Sequence, residues 1–188
     1  MSRALFLDRD GILNELVYYA DTGEYESPRA PSDLQLCAGV LPVLKTWQQA
    51  GWLLFLVSNQ PSYAKGKVAL EDLQAVHAVF AEELDRVGIQ FRAFYYDYTH
   101  PQGIIPDYTQ ESAFRKPNPG FLLRAQHEHE VELAASWMIG DRDSDIICGQ
   151  RVGCRTVLIA NQQSAAYQDN SQPTLICRDL VECAAMLR

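Results

Sequence analysis

Leu5-Phe6-Leu7-Asp8-Arg9-Asp10-Gly11-Ile12-Leu13 is the stretch whose reading decides the fold. Residues 4–7 are apolar and fit a short buried strand, which then ends in acid, base, acid and glycine. Side chains on extended backbone alternate faces, so Asp8 and Asp10 are expected to project together, with Arg9 turned away. Two carboxylates crowded at the end of a buried strand repel each other unless a cation lies between them. A hard divalent ion with oxygen ligands, Mg2+ above all, meets that need. Gly11 then permits the sharp backbone exit. The same residues also read as a surface turn, where Asp and Gly are common. On this stretch alone both readings stand.

Further along the chain, apolar patterning alternates between two periods. Residues 52–57 (Trp-Leu-Leu-Phe-Leu-Val) form a nearly unbroken apolar run ending in Ser58-Asn59-Gln60-Pro61. Such runs mark strands buried on both faces, as in parallel sheets. Further strands are expected at 91–96, 137–139, 156–159 and, short, at 174–176. Helical spacing covers 40–50 and 69–87, closed by Gly51 and Gly88. Asn118-Pro119 is expected to open another helix, with Asn as cap and Pro in the first position. A helix to Val152 follows the acidic Gly140-Asp141-Arg142-Asp143-Ser144-Asp145, where Asp143 and Ser144 read as capping residues. A last helix is expected over 179–187. Residues 14–33, 97–115 and 160–173 read as loops; the first two are long enough to be functional. Repeats and low-complexity tracts are absent. Alternating strand and helix imply an α/β fold with a doubly wound, mostly parallel sheet and helices on both faces.

The chain has 188 residues, 47% hydrophobic and 21% charged. That is expected to make one domain, 1–188, without a separate cap. No apolar run approaches membrane-spanning length, and Met1-Ser2-Arg3 leads straight into a strand, so a cytoplasmic protein without a membrane partner is expected. A net charge of −8 argues against nucleic acid as a partner. Five scattered cysteines, with no C-x-x-C spacing, read as reduced core thiols.

In sheets of this class sites form beyond the carboxyl ends of strands. Asp8 and Asp10, Ser58, and Asp141 with Asp145 all lie at or soon after such ends, and Lys116 stands just before the Asn118 helix. Together they supply a nucleophile, an acid/base, two phosphate-oxygen ligands and a metal cradle, the inventory of phosphoryl transfer. Taken singly, Ser58 reads as a turn residue and Lys116 as a surface lysine. His100, His127 and His129 are given no chemistry.

The ordered set LFLDRDG, VSNQ, RKPNPG and GDRDSD resembles the haloacid dehalogenase (HAD) superfamily of phosphatases over residues 4–159. Within it the chain is similar to the branch holding the D-glycero-D-manno-heptose 1,7-bisphosphate and histidinol phosphatases. The resemblance implies an Mg2+-dependent phosphomonoesterase acting through an aspartyl-phosphate on a small phosphosugar. It implies Asp8 as nucleophile, Asp10 as acid and base, and Ser58 and Lys116 on the phosphoryl oxygens. Arg115, Asn59 and Gln60 would orient substrate, and Lys65, Lys67 and Arg142 would extend a positive patch. The metal would be held by Asp8, Asp141 and the Asp10 carbonyl, with Asp145 in support. A monomer is expected.

Members of that branch carry a zinc loop of three cysteines and a histidine. Here Asp97, Thr99, Ser112 and Phe114 stand at those positions, so structural zinc is not expected. Histidinol phosphate or a nucleic-acid 3′ phosphate remains an alternative substrate. A receiver-type module is disfavoured because its acceptor Asp follows the third strand.

Overall fold

A computed structural model describes residues 2–187. Its main sheet contains strands β1 (Ala4–Leu7), β4 (Leu53–Asn59), β5 (Ala93–Asp97), β6 (Trp137–Gly140), β7 (Arg155–Ile159) and β8 (Leu175–Cys177). The remaining strands, β2 (Val17–Tyr19) and β3 (Glu24–Glu26), form a separate antiparallel hairpin. The sheet order is β5-β4-β1-β6-β7-β8, and every neighbouring pair is parallel. Numbered along the chain, that is the 3-2-1-4-5-6 winding of a doubly wound sheet, as the sequence implied. The order reverses between β1 and β6, where a crevice opens.

Strand β1 is central, and its four side chains are fully buried. Leu5 and Leu7 face one core with helix α1 (Val40–Gln49), α2 (Leu70–Arg86) and α5 (Leu180–Met186). Ala4 and Phe6 face the other, with α3 (Gly120–His129) and α4 (Asp143–Gln150). Period-two alternation thus places helices on both faces. Leu7 pairs with Leu56 on one side and Ile139 on the other. That register brings the ends of β1, β4 and β6 to one height, so Asp8, Ser58 and Asp141 converge.

Several local expectations are corrected. Arg9 is not turned out of the site: it is 1% exposed and paired with Asp10. Alternation ceases at Leu7, because the Arg9 carbonyl accepts from the backbone N–H groups of Ile12, Leu13 and Asn14 in a tight turn. Segment 14–33 contains the β2–β3 hairpin, whose charged Glu24-Tyr25-Glu26 carries no apolar alternation. Ser58 and Asn59 are the last residues of β4 rather than the start of a loop. Asn118 caps nothing; its amide donates to the Ser112 carbonyl, and Pro119 occupies the cap position of α3. Nor does Asp143 cap α4, since its carboxylate accepts from the Asn170 N–H. The capping carboxylate is Asp145, which accepts from the Arg142 N–H at 3.0 Å.

Candidate active site

Lys116 is the hub of the site. Its ammonium is 2.9 Å from Asp8 Oδ1 and 2.6 Å from Asp145 Oδ1, and it donates to the Val57 carbonyl at 2.7 Å. Burial disfavours the charged lysine, yet Asp145 and Asp8 outweigh it and hold the pKa above the ordinary value. The Lys116 backbone is braced as well: Asn59 accepts from its N–H and donates to its carbonyl, both at 3.0 Å. A two-ended clamp of this kind fixes the lysine from β4.

Asp141 directly follows β6 and is fully buried, with neither carboxylate oxygen hydrogen-bonded. Burial, then the Asp8 and Asp145 charges, push its pKa up to about 7. Asp145 is raised too, burial and Asp8 prevailing over Lys116. Oxygens of Asp8, Asp141 and Asp145 lie within 4.8 Å of one another, the one such acidic group among the described residues. Buried carboxylates left without donors are costly unless a cation completes them. Hard oxygen donors of this kind fit Mg2+. Gly11 is required beside them: its φ is +84°, and a Cβ there would lie 2.5 Å from Asp141 Oδ2.

Asp10 has a different environment. Arg9 Nε donates to its Oδ1 at 3.0 Å and Arg9 Nη2 to its Oδ2 at 3.3 Å. Asn14 donates at 3.1 Å and Gln60 at 2.5 Å. Burial raises its pKa, but Arg9, Asn14 and Gln60 prevail and leave it below the ordinary carboxylate value. Arg9 in turn lies over the Tyr96 ring, 5.5 Å from its centroid.

A cleft of about 380 Å³ opens above these groups. Asp8, Asp10, Asn59, Arg115 and Lys116 line it; Ser58, Gln60, Asp141 and Asp145 are buried and do not line it. Gln60 is 1% exposed and donates to Ser58 Oγ and Asp10, so it sets those side chains from below. Lys65, Lys67, Arg115 and Arg142 form a cationic rim, and Glu26 of the hairpin pairs with Lys67. Residues the sequence did not single out support the floor: Ser164 and Gln168 both donate to the Asp141 carbonyl. Arg9, Asn14 and these two were invisible because their partners are distant or lie in irregular backbone. The Asp8-x-Asp10-Gly turn was the available signal for Arg9.

A HAD-hydrolase-like family model matches residues 113–183. The heptose-1,7-bisphosphate 7-phosphatase of Thermosynechococcus vestitus is 34% identical over 94% of this chain and 91% of that protein. The chain belongs to this family of HAD-like hydrolases. The Burkholderia mallei 7-phosphatase is likewise 34% identical, over 88% of this chain and 83% of its own. Among solved structures, the B. bronchiseptica D,D-heptose 1,7-bisphosphate phosphatase, complexed with magnesium and phosphate, superposes with a TM-score of 0.81. It shows 25% identity and covers 98% of this chain and 97% of its own. Family membership makes the chain a hydrolase, and among the described residues no helix is long and apolar enough to cross a membrane.

Proposed function

We propose that this HAD-like hydrolase is an Mg2+-dependent phosphomonoesterase that removes the 7-phosphate from D-glycero-D-manno-heptose 1,7-bisphosphate. The observation that carries the reading is the Asp8–Lys116–Asp145–Asp141 cluster, with Asp141 unpartnered, at the floor of a cation-rimmed cleft. One domain spanning 1–188, without a separate cap, leaves that cleft open to a small phosphosugar.

Asp8, Asp141 and Asp145 would hold Mg2+, together with the Asp10 carbonyl; bound there, the ion would neutralise developing phosphoryl charge. Asp8 is the nucleophile: its carboxylate oxygen bonds to phosphorus as the ester P–O bond breaks, giving an aspartyl-phosphate. Lys116, fixed by Asn59, lowers the repulsion between the Asp8 carboxylate and the phosphate and binds a phosphoryl oxygen with the Ser58 hydroxyl. Asp10 protonates the departing alkoxide, then takes a proton from the water that attacks the intermediate. The ionised form favoured by Arg9 suits the second half. A phosphate dianion arriving beside Asp10 favours the protonated form needed for the first. Gln60 positions Asp10 and Ser58. Arg115, with Lys65, Lys67 and Arg142, supplies positive charge for the substrate's other phosphate, which histidinol phosphate lacks.

Phosphate release from heptose 1,7-bisphosphate, histidinol phosphate and a 3′-phosphorylated oligonucleotide tests the reading. Chelator-sensitive release is expected, strongest on the bisphosphate and lost in Asp8→Asn. Preference for either of the other two esters would contradict the substrate assignment.

A further inference from the structure

Between Asp97, the last residue of β5, and Lys116 the chain runs through a long loop. Its one regular piece is a single 3-10 turn, Pro106–Tyr108. Loops of this length need something to order them. The family resemblance implies structural zinc, but the residues at the four positions do not fit it. A threonine hydroxyl, a serine hydroxyl and a phenylalanine accompany one carboxylate, whereas structural zinc takes four cysteine or histidine ligands.

What the four positions do is bind one another. Asp97, 5% exposed, accepts at Oδ1 from the Thr99 N–H at 2.9 Å and the Thr99 hydroxyl at 2.6 Å. Its Oδ2 accepts from the Ser112 hydroxyl at 2.5 Å, and Ser112 Oγ accepts from the Phe114 N–H at 3.1 Å. The Phe114 ring then packs on Phe121 of α3, with centroids 4.9 Å apart. Beyond the carboxylate, the Thr99 carbonyl accepts from Arg115 Nη1 at 3.0 Å. A single buried anion therefore joins the two ends of the loop and leads directly to a cation on the cleft. Charge-assisted hydrogen bonds from several donors are the strong kind.

We propose that Asp97 is a positioning residue: with Thr99 and Ser112 it closes the 97–115 loop without metal and thereby sets Arg115 at the cleft. Lys116 is held separately, by Asn59, Asp8 and Asp145, so the clasp bears on substrate binding rather than on the chemical step. Burial disfavours the Arg115 charge, and Asp97 is the leading group that opposes it. The inference rests on the phosphatase reading for its kinetic consequence only.

Amide hydrogen exchange over 97–115 and steady-state kinetics on the bisphosphate test it together. Wild-type protein is expected to purify without stoichiometric zinc and to keep its loop protection after treatment with a zinc chelator. In Asp97→Ala the loop amides should exchange faster and KM should rise about tenfold, the scale of one lost charge-assisted hydrogen bond. Over the same substitution kcat should change by less than about threefold, because the Lys116 contacts do not pass through Asp97. Asp97→Asn, which keeps an acceptor for Thr99, should restore part of both. Ser112→Ala removes one donor and is read the same way should Asp97→Ala not fold. One zinc per chain, chelator-sensitive protection, or an unchanged KM in Asp97→Ala would overturn the clasp. Wild-type protein without turnover, whose loop protection still depends on Asp97, would overturn the phosphatase reading and uphold the closure.

Discussion

Two buried carboxylate clusters, one at the start of the loop leading to Lys116 and one around Lys116 itself, are satisfied in opposite ways. At Asp97 every contact is a hydrogen bond from a neutral donor, and both oxygens are occupied. In the other cluster Asp8 and Asp145 share one lysine, and Asp141 beside them has no donor on either oxygen. The first cluster is complete as protein alone; the second leaves Asp141 without any protein donor. Incomplete solvation of a buried charge is thus the mark that separates a site from a structural staple. Similar acids in similar burial otherwise look alike in sequence.

Substitutions should pull the two clusters apart. The largest effect is chemical: Asp8→Asn should lower phosphate release about 10⁴-fold or more, as loss of a covalent nucleophile does. Next is Lys116→Met, which strands Asp8 and Asp145. In metal-free buffer it should cost about 3–5 kcal/mol of unfolding free energy by urea denaturation, a deficit that Mg2+ partly offsets. The sharpest contrast is one of sign. Asp97→Asn should destabilise by about 1–3 kcal/mol. Asp141→Asn should instead stabilise the metal-free protein by about 1 kcal/mol, because it removes a crowded, unpartnered charge. Equal losses in both variants would erase the distinction.

A smaller effect is read from pH. The Asp141 pKa is pushed up to about 7, and Asp145 is raised as well, above the values of the unfolded chain. A group with a raised folded pKa stabilises at low pH, and that contribution is lost as pH climbs through the folded value. Metal-free protein should therefore melt higher at pH 6 than at pH 8 insofar as these groups govern it. Mg2+ requires the ionised carboxylates, so the rise in melting temperature that it brings should be larger at pH 8. In Asp141→Asn, thermal melts should lose most of that pH dependence.

Much of this was legible in the sequence, and the reason is the parallel sheet. Fully buried strands read as apolar runs, and their polar ends mark where Asp8, Ser58 and Asp141 meet; Lys116, far along a loop, was legible only from the RKPNPG motif. Where the backbone left regular structure, the rules stopped working. Alternation put Arg9 on the wrong side because the chain had already turned at Asp8. Sequence rules also gave no sign of the internal bonds of Asn59 and Gln60: Asn59 clamps the Lys116 backbone, and Gln60 donates to Asp10 and Ser58. The β2–β3 hairpin is too short for a pattern, three residues a strand, and β3 is two glutamates about a tyrosine. Thr99 and Ser112 looked like lost ligands; only the fold shows them meeting at Asp97.

On the proposed function, a divalent cation binds the acidic cluster and not the Asp97 cluster. Titration calorimetry of Mg2+ into wild type, Asp141→Asn and Asp97→Asn tests it directly. One Mg2+ per chain is expected in wild type and Asp97→Asn, with binding lost in Asp141→Asn. Undiminished binding in Asp141→Asn would contradict it.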